Sequence, residues 1–509
     1  MMNRMLAAIA LSLLCAMTVA ADTTLEAVLY VPHEAAPGDR IEIYPVLRVT
    51  GDPALDVVVT IALPPGSLFT GQSVPGDWTC VADRSTMTCR IPSIAPPDFV
   101  TGMRFDAILG GEVLGENSVT LTVTAANATP VQEVERIFIW RLFTVSSTND
   151  SGPGSLRDAL AQANQLCGPP ERCRISFDVP TPAVFEPLTP LPPVTACGTV
   201  WILAPLTSEE GASQYELSGA KVSSGSGLDV RADCTAGAAL LRITGLNVNR
   251  FPEDGLRIHP AGTGYSVHAH GMRIGTDVTG SQPRPNAWRG IAITSPVAAL
   301  TVSASHVSRN GRSGIFVWDA RGVEINSTFI VGNGASGIFV NRGRVRGGAN
   351  TVAHNAHWGI SVVPGASMGI VHANSIHSNG SLAIDWGLDG PTPQEPPGGA
   401  AAPIVQSATY DPISGTTTIR GTIDVKTVLG ARYEVSIYSN ASNRADAERW
   451  EGRSEMYSIY VPSPGVYPWE VAIRKDLRGR TLTAVTGVGI GDDFPTFTGS
   501  ELSLPFTVQ

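Results

Sequence analysis

Two stretches of this chain nearly repeat each other: Asn310–Val317 reads "NGRSGIFV" and Asn333–Val340 reads "NGASGIFV", 23 positions further on. They differ only where Arg312 stands against Ala335. Shorter echoes surround them: "GLDV" from Gly227, "GLRI" from Gly255, "GIAI" from Gly290, "GISV" from Gly359 and "AIDW" from Ala383. The successive intervals are 28, 35, 24, 23, 22 and 24 residues. Asn286, Asn310, Asn333, Asn355 and Asn379 each stand four positions ahead of the small residue, and an apolar beat precedes them at Val307, Ile330, Val352 and Ile376.

A period of this length, with two or three short strands in each, marks a solenoid and predicts a right-handed parallel β-helix. One coil alone cannot bury its inner side chains; stacked about 4.8 Å from its neighbour, it shares a core and a hydrogen-bond ladder. Leu256, Ile291, Ile315, Ile338, Ile360 and Ile384 are expected to stack inward, beside a second column of Ile258, Ile293, Val317, Val340 and Val362. The Gly reads as a bend that a Cβ would obstruct. The Asn reads as a corner residue whose amide bonds backbone of its own and adjacent coils. The repeated phrase is therefore structural, and any function belongs to the outward side chains.

The rest of the 509 residues organises around this solenoid. Residues 1–21 have one Arg, an apolar run and small residues before the first acid, the pattern of a secretory signal peptide cleaved after Ala20 or Ala21. The apolar run is shorter than the roughly 20 residues a membrane span needs, so the mature chain is expected to be exported, secreted or held at the cell surface. Residues 22–142 alternate in short strands separated by turns, which predicts a β-sandwich. Residues 143–390 form the β-helix, opened by an amphipathic helix with Leu156, Ala159, Leu160 and Ala163 on one face and Ser155 as its N-cap. A Pro/Gly linker, 391–403, leads to a second predicted sandwich, 404–509, placed to cover the last coil's strand edge. The fold class is thus all-β, a right-handed parallel β-helix flanked by two β-sandwich domains. Six cysteines remain after the signal, an even number that reads as disulfides in an exported chain. Proximity favours Cys80–Cys89 and Cys167–Cys173, leaving Cys197–Cys234.

Several motifs add resemblances. "LPPGSLF" with Trp78, Cys80 and Cys89 is similar to the immunoglobulin-like conserved-repeat domain of bacterial surface proteins. "GSLRDAL" resembles the opening of CSLREA-type bacterial secreted β-helix proteins, with Gly154 where that family writes Cys. "IGTDVTG" from Ile274 and "NSIHSNGSLAIDWGLDG" from Asn374 resemble that family's looped coil and closing coil. The resemblance implies a pectin-lyase-like β-helix over residues 143–400 and specifies no activity.

Any chemistry must come from the outward positions. The formal net charge is −10 with no basic run, which speaks against nucleic acid as a partner. The outward columns are expected to run Asp229, Arg257, Ala292, Phe316, Phe339, Ser361, Asp385 and Arg231, His259, Thr294, Trp318, Asn341, Val363. Neither is an acidic ladder, so two-carboxylate glycoside hydrolysis has little support. Asp229, Arg257 and His259, with Arg231, are the weak catalytic candidates: a base and an acid around a bound uronate in a polysaccharide lyase, or simply a solvated ion-pair patch. His354, His357, His372 and His377 invite a metal, but His354 and His377 fall one position out of register and are not expected to face the same way. No cofactor is implied, and calcium, plausible for such a fold, has no identifiable site. Phe316, Trp318 and Phe339, beside Asp319, Asn341 and Arg342, form the more pointed set. Aromatic faces stack on sugar C–H faces while polar neighbours bond hydroxyls. The leading expectation is an adhesin-like protein recognising a polysaccharide or cell-surface glycan. The alternative is a polysaccharide lyase-like enzyme acting on an acidic polysaccharide.

Overall fold

The computed structural model describes residues 22–96, 98–206, 213–234, 239–262, 264–369, 373–390, 402–425, 431–441, 443–444, 446–454, 459–489 and 498–509. The expected signal peptide and nearly all of the expected linker lie outside them. The chain divides into two compact units, Met1–Arg141 and Leu142–Gln509.

In the first unit, alternation writes the fold. Thr24–Tyr30 exposes every other residue and buries Leu25, Ala27 and Leu29. It pairs antiparallel with Arg40–Thr50 in a sheet that also holds Arg104–Ile108, Leu68–Ser73 and Asp98–Val100. A second sheet orders Glu34–Ala35, Ala128–Ile139, Gly115–Ala125, Ala54–Ala62, Thr86–Ile94 and Thr79–Asp83. The inner faces share one core, in which Ile43 and Leu47 of the first sheet meet Val59, Ile61 and Leu121 of the second. Cys80 and Cys89 sit directly opposite each other on adjacent strands and are joined.

The second unit is a right-handed parallel β-helix continuing into two antiparallel sheets. Three faces stack in parallel. The first carries the repeated phrase: Leu228–Val230, Leu256–Ile258 and Ile291–Ile293 precede the coils of Ile315, Ile338, Ile360 and Ile384. The second runs from Arg141–Val145 through Arg172–Phe177, Thr199–Leu203, Ala239–Thr244 and Tyr265–His270. The third runs from Ala183–Phe185 through Tyr215–Ser218 and Leu246–Asn249 to Ser375–His377. Both inward columns expected from the repeat are in register and fully buried, and Trp386 extends the second beneath Val362. Each such aliphatic contributes on the order of 1.5–3 kcal/mol by leaving water.

The corners differ from the expectation in one respect. The left-handed residue at each corner precedes the Asn: Arg309 (φ 63°), Gly332 (φ 69°), His354 (φ 55°) and Ser378 (φ 54°). The Gly of the phrase does not supply that bend. It leaves room, because a Cβ on Gly314 would stand 2.6 Å from Ile330 Cγ2 and 2.8 Å from Asn333 Nδ2.

Both ends of the stack are covered. Helix Leu156–Leu166 begins at Ser155, whose hydroxyl accepts from the Asp158 amide, and sends Leu156, Ala159, Leu160 and Ala163 into the solenoid core. Cys167–Cys173 ties the helix end to the strand Arg172–Phe177, and Cys197–Cys234 closes a later loop. At the far end the antiparallel sheets supply partners for the last coil. Ala447 and Ile376 exchange backbone hydrogen bonds at 2.7 Å in both directions. Arg444 donates to the Asn379 and Ser381 carbonyls at 2.8 and 3.0 Å, and Tyr438 and Val485 join the solenoid core.

Candidate functional site

Outward residues of a parallel stack lie one above another, so rings at equivalent positions are held face to face. Phe316 pairs with Phe339 on the next coil, and their rings stack at 5.0 Å between centroids and 10° between planes. Trp318 lies 6.1 Å from Phe316, also at 10°. Trp318 is 51% exposed while Phe316 and Phe339 are half-buried, so a stack of near-parallel rings lies at the surface of unit two, with Trp318 its most exposed member.

Trp318 reaches this position through an irregularity. Ile293 pairs with Val317, but Thr294 pairs with Asp319, which leaves Trp318 as the extra residue of a β-bulge. The expected column Thr294–Trp318–Asn341 is therefore corrected: Asp319 takes the place opposite Thr294, and Trp318 projects unpaired. Asn341 donates from Nδ2 to the Trp318 carbonyl at 2.9 Å, so it props the bulge instead of presenting a free amide. Arg342 is exposed and Asp319 half-exposed at the rim.

Three residues not expected from the sequence extend the surface. The Arg289 guanidinium stands 4.5 Å over the Phe316 ring and 5.5 Å from that of Trp288, and Arg312 stands 5.4 Å from Trp288. Arg289 is fixed from behind by Asp254, a fully buried carboxylate that it grips through Nε at 2.8 Å and Nη2 at 3.2 Å. Burial raises the Asp254 pKa above the ordinary carboxylate value, opposed by the neighbouring Arg289 charge. The signal for these residues was the pair Trp288–Arg289 immediately before Gly290, the place Arg312 nearly occupies before Gly314.

The catalytic candidates are brought together differently from expectation. Asp229 accepts from Arg231 at 2.6 Å and contacts His259 Nε2 at 2.6 Å. That hydrogen bond, with the Asp229 charge, holds the Arg231 pKa above its usual value. Arg257, adjacent to Asp229 in register, is drawn instead to Glu253 at 3.1 Å. Outward Asp385 does not face solvent; it is fully buried, as are Ala292 and Ser361 of the same column.

The histidines also need correction. The His354 and His377 rings meet edge to face at 5.8 Å, and His354 takes a left-handed backbone conformation at its corner. His357 packs beside Trp358, and His372 lies outside the described residues. Among the described residues no histidine belongs to a group of three side chains able to hold a metal.

A family model described as right handed beta helix region matches residues 230–392. It covers the coils that carry the aromatic surface and His259, and begins one residue after Asp229. No curated protein matches the chain. Among solved structures, full-length tailspike protein 2 (TSP2, ORF211) from Escherichia coli O157:H7 bacteriophage CAB120 is similar at 9% identity and a TM-score of 0.24, over 75% of this chain and 70% of that one.

Proposed function

We propose that this chain is an exported, adhesin-like protein that binds a polysaccharide or cell-surface glycan on the outward face of its β-helix. The observation that carries the reading is the surface stack of near-parallel rings Phe316, Trp318 and Phe339, with Trp318 exposed and Arg289 laid over Phe316. Exposed Trp318 offers an aromatic surface to sugar C–H groups, and its stacked neighbour leaves it little side-chain freedom to lose on binding. Arg342, Arg312 and Asp319 stand at the rim to meet hydroxyls or a sugar carboxylate. The three disulfides suit an oxidising compartment.

A lyase-like activity at Asp229, Arg257 and His259 has less support. A lyase needs a free base against a neutralised uronate. Here Asp229 is engaged by two partners and Arg257 by Glu253.

The test incubates the purified chain with a panel of acidic and neutral polysaccharides, reading both retention and ultraviolet-absorbing unsaturated product. Retention without product is expected, and Trp318→Ala should weaken it by about 1–3 kcal/mol, the scale for removing one large apolar contact. Product that disappears in Arg257→Ala would turn the reading to the enzyme.

A further inference from the structure

Two carboxylates outside the aromatic surface are buried at the closing end of the solenoid. Asp385 is the outward residue of the last coil's strand, Ile384–Trp386, and is fully buried. Both of its oxygens are shut from solvent and neither accepts a well-formed hydrogen bond; the Trp358 indole and the amides of Asp389 and Gly390 are the donors nearby. The charge acting on it is the like charge of Asp389, four residues on across the turn at Gly387. Glu501 arrives from the C-terminal segment and accepts from the Trp386 amide at 3.1 Å, across 115 residues of chain. It too is buried. One carboxylate oxygen from each of Asp385, Asp389 and Glu501 lies within 4.8 Å of the other two.

Three carboxylates converging on one point, two of them buried, repel one another and have surrendered hydration. A divalent cation between them removes both difficulties. Oxygen-only donors suit calcium or magnesium and not zinc. Two oxygens that share one calcium at about 2.3–2.6 Å stand up to about 5 Å apart, a span that the three carboxylate oxygens do not exceed. Exposed Asp389 leaves one side open for entry and for the waters that complete a calcium shell. We propose that Asp385, Asp389 and Glu501 bind a divalent cation of the calcium class, which ties the C-terminal segment to the last coil of the β-helix. The site is independent of the glycan reading.

The full chain, stripped with a chelator, is titrated with calcium by calorimetry while thermal unfolding is followed with and without the ion. A saturable one-site heat and a rise in Tm are expected. Asp389→Asn, at an exposed position and with one repelling charge removed, should be at least as stable as the wild type in chelator, yet lose the calcium-dependent rise and at least tenfold in affinity; Glu501→Gln should lose them as well. The proposal is overturned by absence of heat and Tm shift at millimolar calcium, or by a shift that both variants retain. It is equally overturned if Asp389→Asn is destabilised in chelator, or if magnesium reproduces the effect at the same concentration.

Discussion

A Cβ on Gly337 would stand 2.4 Å from Val352 Cγ1, 2.7 Å from the Gly359 carbonyl oxygen and 2.8 Å from Asn355 Nδ2. Backbone and a hydrogen-bonded amide cannot withdraw, so Gly337→Ala is expected to cost about 1–3 kcal/mol, as overpacked cores do. Urea unfolding of the variant should show a lowered midpoint at unchanged slope. A different residue-scale device closes the other end. Arg157 donates to Asp150 Oδ1 at 2.6 Å and to the Thr189 and Pro190 carbonyls at 2.8 and 2.7 Å, clamping the capping helix to a loop. The Arg157 hydrogen bond holds the Asp150 pKa below its ordinary value. A carboxyl depressed in the fold contributes stability that is complete above its unfolded pKa and is lost as pH falls through the lower folded one. Acid unfolding of the wild type should therefore include this loss. Arg157→Ala, expected to cost about 1–3 kcal/mol at neutral pH, should narrow its gap to the wild type as the pH drops through that window. The expected obstruction of a Cβ at Gly337 is met, but it comes from the next coil and not from a bend, and crowding by the next coil is not visible in one coil's letters.

At the scale of elements, the corner asparagines form a continuous ladder. Asn286 Nδ2 donates to Asn310 Oδ1 at 3.0 Å, Asn310 to Asn333 at 3.0 Å, Asn333 to Asn355 at 2.9 Å and Asn355 to Asn379 at 3.0 Å. The same oxygens accept backbone amides, as Asn355 Oδ1 does from Asn333 N at 3.0 Å. Asn333→Ala strands buried donors and acceptors on both sides, about 1–3 kcal/mol each. Hydrogen exchange should quicken at the corners on either side, Asn310 and Asn355, before it does in the distant coils; uniform protection would contradict the ladder's role. The five asparagines were legible because they recur at one offset from the phrase. A second ladder was not: Asn350 Nδ2 donates to Asn374 Oδ1 at 2.9 Å, and the Asn374 oxygen also accepts the Asn350 amide. Only two residues form that pair, too few to stand out as a period. The bulge at Trp318 was equally hidden, because alternation counted along one strand assumes that each residue has a partner across the ladder.

At the scale of the molecule, the solenoid depends on its covers. A last coil exposes the unpaired edge of its sheets, and here Ala447 and Arg444 occupy part of it. Removal of residues 402–509 should leave a chain that self-associates, with light scattering rising at concentrations where the whole chain stays monodisperse. A monodisperse truncation would contradict this. The periodic body was readable from letters because each coil repeats the same physical problem. The burial of Asp385 was not, since its cover is written more than a hundred residues later and no period connects the two. The exposure of the aromatic surface likewise rested on whether a later segment would cover it. Among the described residues of unit two, Trp318 stays half exposed. The most direct test of the account is calorimetry of wild type and Trp318→Ala against the best-retained polysaccharide of the panel. A loss of about tenfold or more in affinity, with the variant's thermal unfolding unchanged, is the predicted result; equal affinity in the two proteins, or no retained polysaccharide at all, would contradict it.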